Sequence, residues 1–429
     1  MRIVHFVHRY PPALGGSEAY FARLSRYLRG RGEHVQVETT TALDLEAFWS
    51  SKGRTLPAGI TIEDDVAIRR HTLRHWPGRR YLLKLLSLLP IPRLQGFALP
   101  CNPVAPTMWT QAAGNRQVDV VHATAFPYAW PILCGLRLAR RCGAPFVLTP
   151  FLHLGDPRNP RDRTRRAYLS PAMCYLLRSA DRIFVQTPVE RAAVLDLGLS
   201  PDRVVLLGMG VDPAECTGGD RVRARKRWRL SPDEVVVGHL ANKSAEKGTI
   251  DLIQAATMLW QAGKRCRLLI AGPEMPNFTR FWRTLPDSRH ITKLGVLNDE
   301  EKRDFYAAID LFTLPSRSDS FGIVFLEAWT NGMPCIAYRA GGVVDVIHHE
   351  QDGLLVNCGD ILGLASAIDQ LSRESGRRRQ MGEAGRIRVQ NDCAWQPRLE
   401  RVHEAYRGAI EQNRFGAERG RAAPALAVP

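Results

Sequence analysis

Between Pro315 and Ala328 the chain reads Pro-Ser-Arg-Ser-Asp-Ser-Phe-Gly-Ile-Val-Phe-Leu-Glu-Ala. An apolar run ends at Pro315, a polar turn follows, and a helical pattern begins near Gly322. The first N–H groups of a helix have no partner inside it and sit at the positive end of its dipole, so they attract phosphate. Ile323 and Val324 carry those groups here. Asp319 stands in the turn before the helix, and Glu327 stands past its first turn. A carboxylate at the second place can accept hydrogen bonds from two neighbouring hydroxyls, such as those of a ribose, each contributing about 1.5–3 kcal/mol. The segment thus offers places for a diphosphate, a sugar and a ribose. The rival reading is an amphipathic helix with a solvated Glu327 and with Phe321, Val324, Phe325 and Ala328 on its core face.

Three other places could contribute. Lys243 and Lys247, in Ala241-Asn242-Lys243-Ser244-Ala245-Glu246-Lys247-Gly248, would stabilise charge on a leaving diphosphate. Otherwise they are solvated loop lysines. Gly15 and Gly16 lie between the first strand and the first helix, where phosphate or sugar loops belong in such folds. The loop is not G-x-G-x-x-G, so a dinucleotide cofactor is poorly supported. His153 follows the strand Pro145–Thr149, and a lone histidine there is more often structural than functional. His122, His348 and His349 have no partners at metal-ligand spacing.

The elements that must position these residues alternate strand and helix. In the first half, strands are expected at residues 2–7, 35–39, 118–123, 145–149, 182–186 and 204–207. Helices are expected at 18–29, 128–141, 164–179 and 188–197, with an irregular region after residue 42. A second series begins near Ser231, with strands at 234–240, 267–271, 290–294, 311–314, 334–338 and 354–356. Such alternation implies parallel sheets covered on both faces, an α/β fold with two doubly wound units and a cleft between the carboxyl ends of their strands. The hinge is placed at Gly208–Pro213, where Gly and Pro punctuate the chain.

With these pieces in order, the chain resembles the family-4 group of retaining glycosyltransferases with the GT-B fold. Asp319 and Glu327 resemble that family's E-x7-E signature, with Asp in place of the first Glu. Asn331-Gly332-Met333-Pro334, Ala340-Gly341-Gly342 and Asp352-Gly353-Leu354 follow in family order. Lys247-Gly248 matches the family's K-G, while His239 stands where its diphosphate-clamping Arg is usual. The resemblance implies that Glu327 holds the ribose, that Asp319 and His153 face the donor sugar, and that Gly15 and Gly16 approach the donor phosphate. It also implies that His239, Lys243 and Lys247 line the diphosphate, with Lys247 stabilising the leaving group. The expected domains are residues 1–208 for the acceptor, 209–394 for the nucleotide-sugar donor, a helix 395–415 returning to the first domain, and a disordered tail 416–429. The implied activity moves a sugar from a UDP- or GDP-type donor to a lipid-linked or small-molecule acceptor, with no cofactor and no metal. Resemblance thins between about residues 42 and 115, where acceptor choice is expected to lie.

Bulk properties fit this reading and leave rivals. The 429 residues carry a formal net charge of +16, which favours anionic partners. Nucleic acid is one such partner, but no stacking aromatics or recognisable binding module are interleaved with the charge. A catalytically inactive nucleotide-sugar-binding protein is another alternative, raised by Asp319 and His239. Nine cysteines without a framework suggest reduced thiols and the cytoplasm. No run of about 18 apolar residues is present to span a bilayer. The basic stretch Arg69–Arg93 encloses Tyr81–Leu89, which reads as an amphipathic helix on the inner face of an anionic membrane or as an ordinary buried helix ringed by arginines. A helix this short leaves both open.

Overall fold

A computed structural model describes residues 1–114 and 117–422, with 416–422 as backbone. The first half builds an eight-stranded sheet from β1 (Arg2–Phe6), β2 (His34–Thr40), β3 (Gly59–Glu63), β4 (Val66–His71), β5 (Val120–Ala123), β6 (Phe146–Leu148), β7 (Arg182–Val185) and β8 (Val204–Leu206), in the order β3-β4-β2-β1-β5-β6-β7-β8. The second half builds a six-stranded sheet from β9 (Val236–Leu240), β10 (Arg267–Ala271), β11 (Ile291–Lys293), β12 (Leu311–Leu314), β13 (Cys335–Tyr338) and β14 (Gly353–Val356), in the order β11-β10-β9-β12-β13-β14. Every pairing is parallel except the hairpin β3–β4 at the edge of the first sheet. Strands such as Val120–Ala123 and Cys335–Tyr338 are buried along their whole length, because helices cover both faces.

In each sheet the strand order reverses beside the first strand of its series, β1 in one and β9 in the other. Crevices for ligands open at the carboxyl ends of strands at such points. The loops after β1, β9 and β12 therefore carry the site.

Two connections join the halves. Val211 N–H donates to Cys393 O at 3.0 Å, so the chain crosses out and back at neighbouring points. Gly210 lies against the Trp395 indole, which leaves no room for a Cβ. The last helix, Trp395–Ala422, then lies on the first sheet. Leu399, Val402 and Tyr406 enter that sheet's core, and the Tyr406 hydroxyl meets His122 Nδ1 at 2.5 Å and His5 Nε2 at 3.3 Å. This helix runs on to Ala422, past the start of the tail expected at residue 416; residues 423–429 lie outside the described residues.

Two stretches differ from the expected elements. The single helix over 164–179 is two, Arg163–Tyr168 and Pro171–Ser179. Ser170 is extended (ψ 159°) because Pro171 disfavours a helical residue before it. The irregular region after residue 42 holds the β3–β4 hairpin and three short helices, Arg79–Leu86, Pro92–Phe97 and Pro106–Gln111, two of which begin at a proline.

Candidate active site

The helix Ile323–Thr330 follows β12 through the turn Pro315–Gly322. Gly322 caps it with φ +85°, a conformation that suits glycine. Phe325 N–H turns back to Gly322 O at 3.0 Å. Among the described residues, the N–H groups of Ile323 and Val324 have no protein partner. Across the cleft stands the loop after β1. A Cβ on Gly16 would lie 3.7 Å from Ile323 Cδ1, so this glycine loop faces the start of the helix. The Glu18 carboxylate lies closely against Gly15, so a side chain at that position would have to displace it.

Lys247 reaches the turn from the loop after β9, and its Nζ donates to Asp319 Oδ2 at 2.6 Å. Burial alone would raise the Asp319 carboxyl; the ammonium of Lys247 and the nearby His153 hold it below the usual carboxylate range. His153 stacks on Tyr168 with ring centroids 5.0 Å apart, and burial lowers it to about 4. It is therefore a neutral imidazole at pH 7. Glu327 projects from the opposite side of its helix, where Oε2 accepts from the Tyr306 hydroxyl at 2.7 Å and Oε1 from Lys302 Nζ at 3.2 Å.

Direct bonds hold the two halves together beside these groups. Gly155 N–H donates to Ser318 Oγ at 3.2 Å, Gly341 N–H to Gly155 O at 2.7 Å, and Val189 N–H to Asp345 Oδ2 at 2.6 Å. Gly342 N–H donates to Asp319 O at 2.8 Å. The Gly341-Gly342 pair thus braces the Asp319 turn, and its N–H groups are already engaged.

Two of the expected diphosphate contacts are corrected. His239 is fully buried: Nδ1 meets Thr313 O at 2.9 Å and Nε2 meets Thr249 Oγ1 at 2.8 Å. Both ring nitrogens are used inside the domain, and burial lowers its pKa to about 4. Lys243 is 1% exposed and points the other way, to Leu294 O and to Glu274 Oε1 at 3.7 Å, above the Phe278 ring. Its backbone bridges to Glu274, which turns the side chain beneath the helix Pro276–Thr284. Neither residue reaches the cleft. Lys247, Asp319, His153, Gly16 and the start of the helix do come together.

Sequence reasoning missed the groups that hold these. Tyr306 and Lys302 lie on the helix Asp299–Ala308, and Tyr168 at the end of its own helix, with no motif to mark any of them. A further cluster stands at the end of β1. Buried Glu18 takes Arg9 at 2.5 Å and His8 Nε2 at 3.3 Å on Oε1. Burial would raise the Glu18 carboxyl, but His8 and Arg9 lower it to about 2. His8 stacks on Tyr128 at 4.8 Å, and Phe48 meets both rings edge-on. The signal was a polar His-Arg pair directly after a buried strand.

Two parallel-sheet domains with their switch points facing one cleft define a GT-B glycosyltransferase architecture. The family model for group 1 glycosyl transferases matches residues 220–388, and that for the glycosyl transferase 4-like domain matches residues 15–210. The chain belongs to the family-4 glycosyltransferases. It is 27% identical over 429 aligned positions to a D-inositol 3-phosphate glycosyltransferase of Acidothermus cellulolyticus, covering 94% of this chain and 88% of that one. It is 26% identical to a sulfoquinovosyl transferase of Arabidopsis thaliana, covering 95% and 74%. Among solved structures it resembles sucrose-phosphate synthase from Thermosynechococcus elongatus (TM-score 0.72, 21% identity, 96% and 100% covered). It also resembles Anabaena HepE in complex with UDP-glucose (TM-score 0.68, 18% identity, 95% and 100% covered).

Proposed function

We propose that the protein transfers a sugar, with retained anomeric configuration, from a UDP-type donor to an acceptor held by the first domain. The observation that carries this reading is the pair of unpartnered N–H groups at Ile323 and Val324, with Lys247 and Asp319 on one side and Glu327 behind. The diphosphate docks on those N–H groups and on Lys247, which leaves Asp319 free to meet donor-sugar hydroxyls. The ribose hydroxyls compete with Tyr306 and Lys302 for Glu327. HepE, whose complexes contain UDP and UDP-glucose, supports the choice of nucleotide.

In the transfer step, the bond between the anomeric carbon and the phosphate oxygen breaks, and the acceptor oxygen bonds to that carbon from the same face. The acceptor's proton passes to the departing phosphate oxygen. Lys247 and the helix N–H groups stabilise the charge there, and neutral His153 contacts the sugar without adding a competing cation. The bonds through Gly155, Ser318 and Asp345 hold the cleft shut, which limits attack by water.

A thermal-shift screen of UDP, GDP, ADP and their glucose conjugates tests the donor. Stabilisation by UDP and UDP-sugars is expected, and a response to none of them would end the reading. UDP release with an added acceptor separates an active transferase from an inert binder.

A further inference from the structure

The helix Arg79–Leu86 and the chain beyond it display an apolar crest to solvent. Tyr81 is 82% exposed, Leu88 72% and Leu85 64%, and Leu82, Leu89 and Ile91 are exposed beside them. Only Leu83 turns inward on the apolar side of this helix. Isolated exposed leucines are ordinary, but a contiguous crest of this kind marks an interaction surface. The crest is fixed from below: the buried Arg79 guanidinium donates to the carbonyls of Phe48 and Asn102.

The charge around the crest selects its partner. Arg80, Lys84 and Arg93 are exposed among the leucines, and Arg74 precedes them. The sequence holds no Asp or Glu between Asp65 and Asp119. A second copy of the same face would set these cations against each other without a carboxylate to relieve them. A surface with an apolar interior and an anionic skin satisfies both features, because leucines enter the acyl boundary while lysine and arginine stay among the headgroups. No helix among the described residues is long and apolar enough to cross a membrane, so the contact is with one leaflet.

We propose that this crest docks the protein onto a bilayer rich in anionic lipid. The docked face adjoins the acceptor side of the cleft: Phe48, whose carbonyl Arg79 holds, packs against Tyr128 and His8 at the end of β1. A lipid-borne acceptor then enters from the bilayer past these rings, a consequence that rests on the transferase reading, whereas the docking itself does not.

The test is co-sedimentation of the full chain with vesicles of phosphatidylcholine alone and of phosphatidylcholine mixed with phosphatidylglycerol. Wild type is expected on the mixed vesicles and not on the neutral ones, with binding weakened by salt. Leu85→Glu with Leu88→Glu, and separately Arg80→Glu with Lys84→Glu, should each lower the bound fraction by about tenfold or more. Thermal melting of these surface variants should match wild type. Equal sedimentation of variants and wild type, or none of wild type, overturns the proposal. So does a dimer that the leucine variant converts to monomer without any vesicle effect. Titration of the same preparations with UDP, GDP and ADP separates the two readings: vesicle binding without binding of any of them removes the proposed transfer reaction and leaves the docking intact.

Discussion

On one side of the cleft, the second domain offers Lys247, Asp319 and Glu327, each already paired: Lys247 with Asp319 at 2.6 Å, and Glu327 with Tyr306 at 2.7 Å. On the other side, the first domain offers rings, His153 on Tyr168 and His8 on Tyr128. The charged side suits a diphosphate and a ribose, which are common to any sugar nucleotide. The stacked side suits the sugar and its acceptor, which differ from one transferase to the next.

The largest expected effect falls on the charged side. Lys247→Ala should lower kcat by about 100-fold or more, in line with removal of one group that stabilises a developing anion. It should also weaken donor binding, because the diphosphate docks on the same ammonium. Steady-state kinetics with UDP-sugar checks this, and an unchanged kcat removes Lys247 from the transfer step. Glu327→Ala should weaken UDP binding by about 10–100-fold, the loss of one or two charged hydrogen bonds. Calorimetry reads that change directly.

A smaller effect sharpens the comparison within a single loop. Lys243 and Lys247 stand four residues apart, but only one faces the cleft. Lys243→Ala should leave UDP affinity unchanged and lower stability by about 1–3 kcal/mol, because the carbonyl of Leu294 loses its buried donor. Urea denaturation beside calorimetry separates the pair. On the stacked side, Tyr168→Leu should raise the KM for the sugar nucleotide several-fold while binding of UDP itself holds, since the ring it removes stacks on His153, which faces the donor sugar.

The buried histidines predict a pH dependence. His5 is lowered to about 3, and His153 and His239 to about 4, each by burial. Their neutral forms are favoured in the folded state, so their contribution is fully present above the unfolded pKa near 6.5. It is lost as pH falls from there towards 4. The melting temperature should drop over that window, and His239→Gln should flatten the drop. A melting temperature constant from pH 7 to 4 would contradict the buried placement.

Much of the second domain was legible because strand, turn and helix follow in short order there. The turn Pro315–Gly322 fixes where Asp319 and Glu327 stand, with little freedom for a different arrangement. Spacing gave no direction for Lys243, since its fate depends on a bridge to Glu274 in another loop. Nor did it reveal that His239, on a central strand, faces the helix Thr249–Gln261 rather than the ligand. The region after residue 42 was opaque for a different reason. Its short helices and edge hairpin are held by long-range contacts, such as Arg79 to the carbonyl of Phe48, and leave its leucines outside where periodicity reads them equally as core.

The most direct test is a crystal structure of the UDP complex. The distal phosphate should lie about 3 Å from the N–H groups of Ile323 and Val324, with Lys247 turned from Asp319 towards it and the ribose hydroxyls on Glu327. UDP bound elsewhere, with Lys247 still on Asp319 and Glu327 still on Tyr306, would contradict the account.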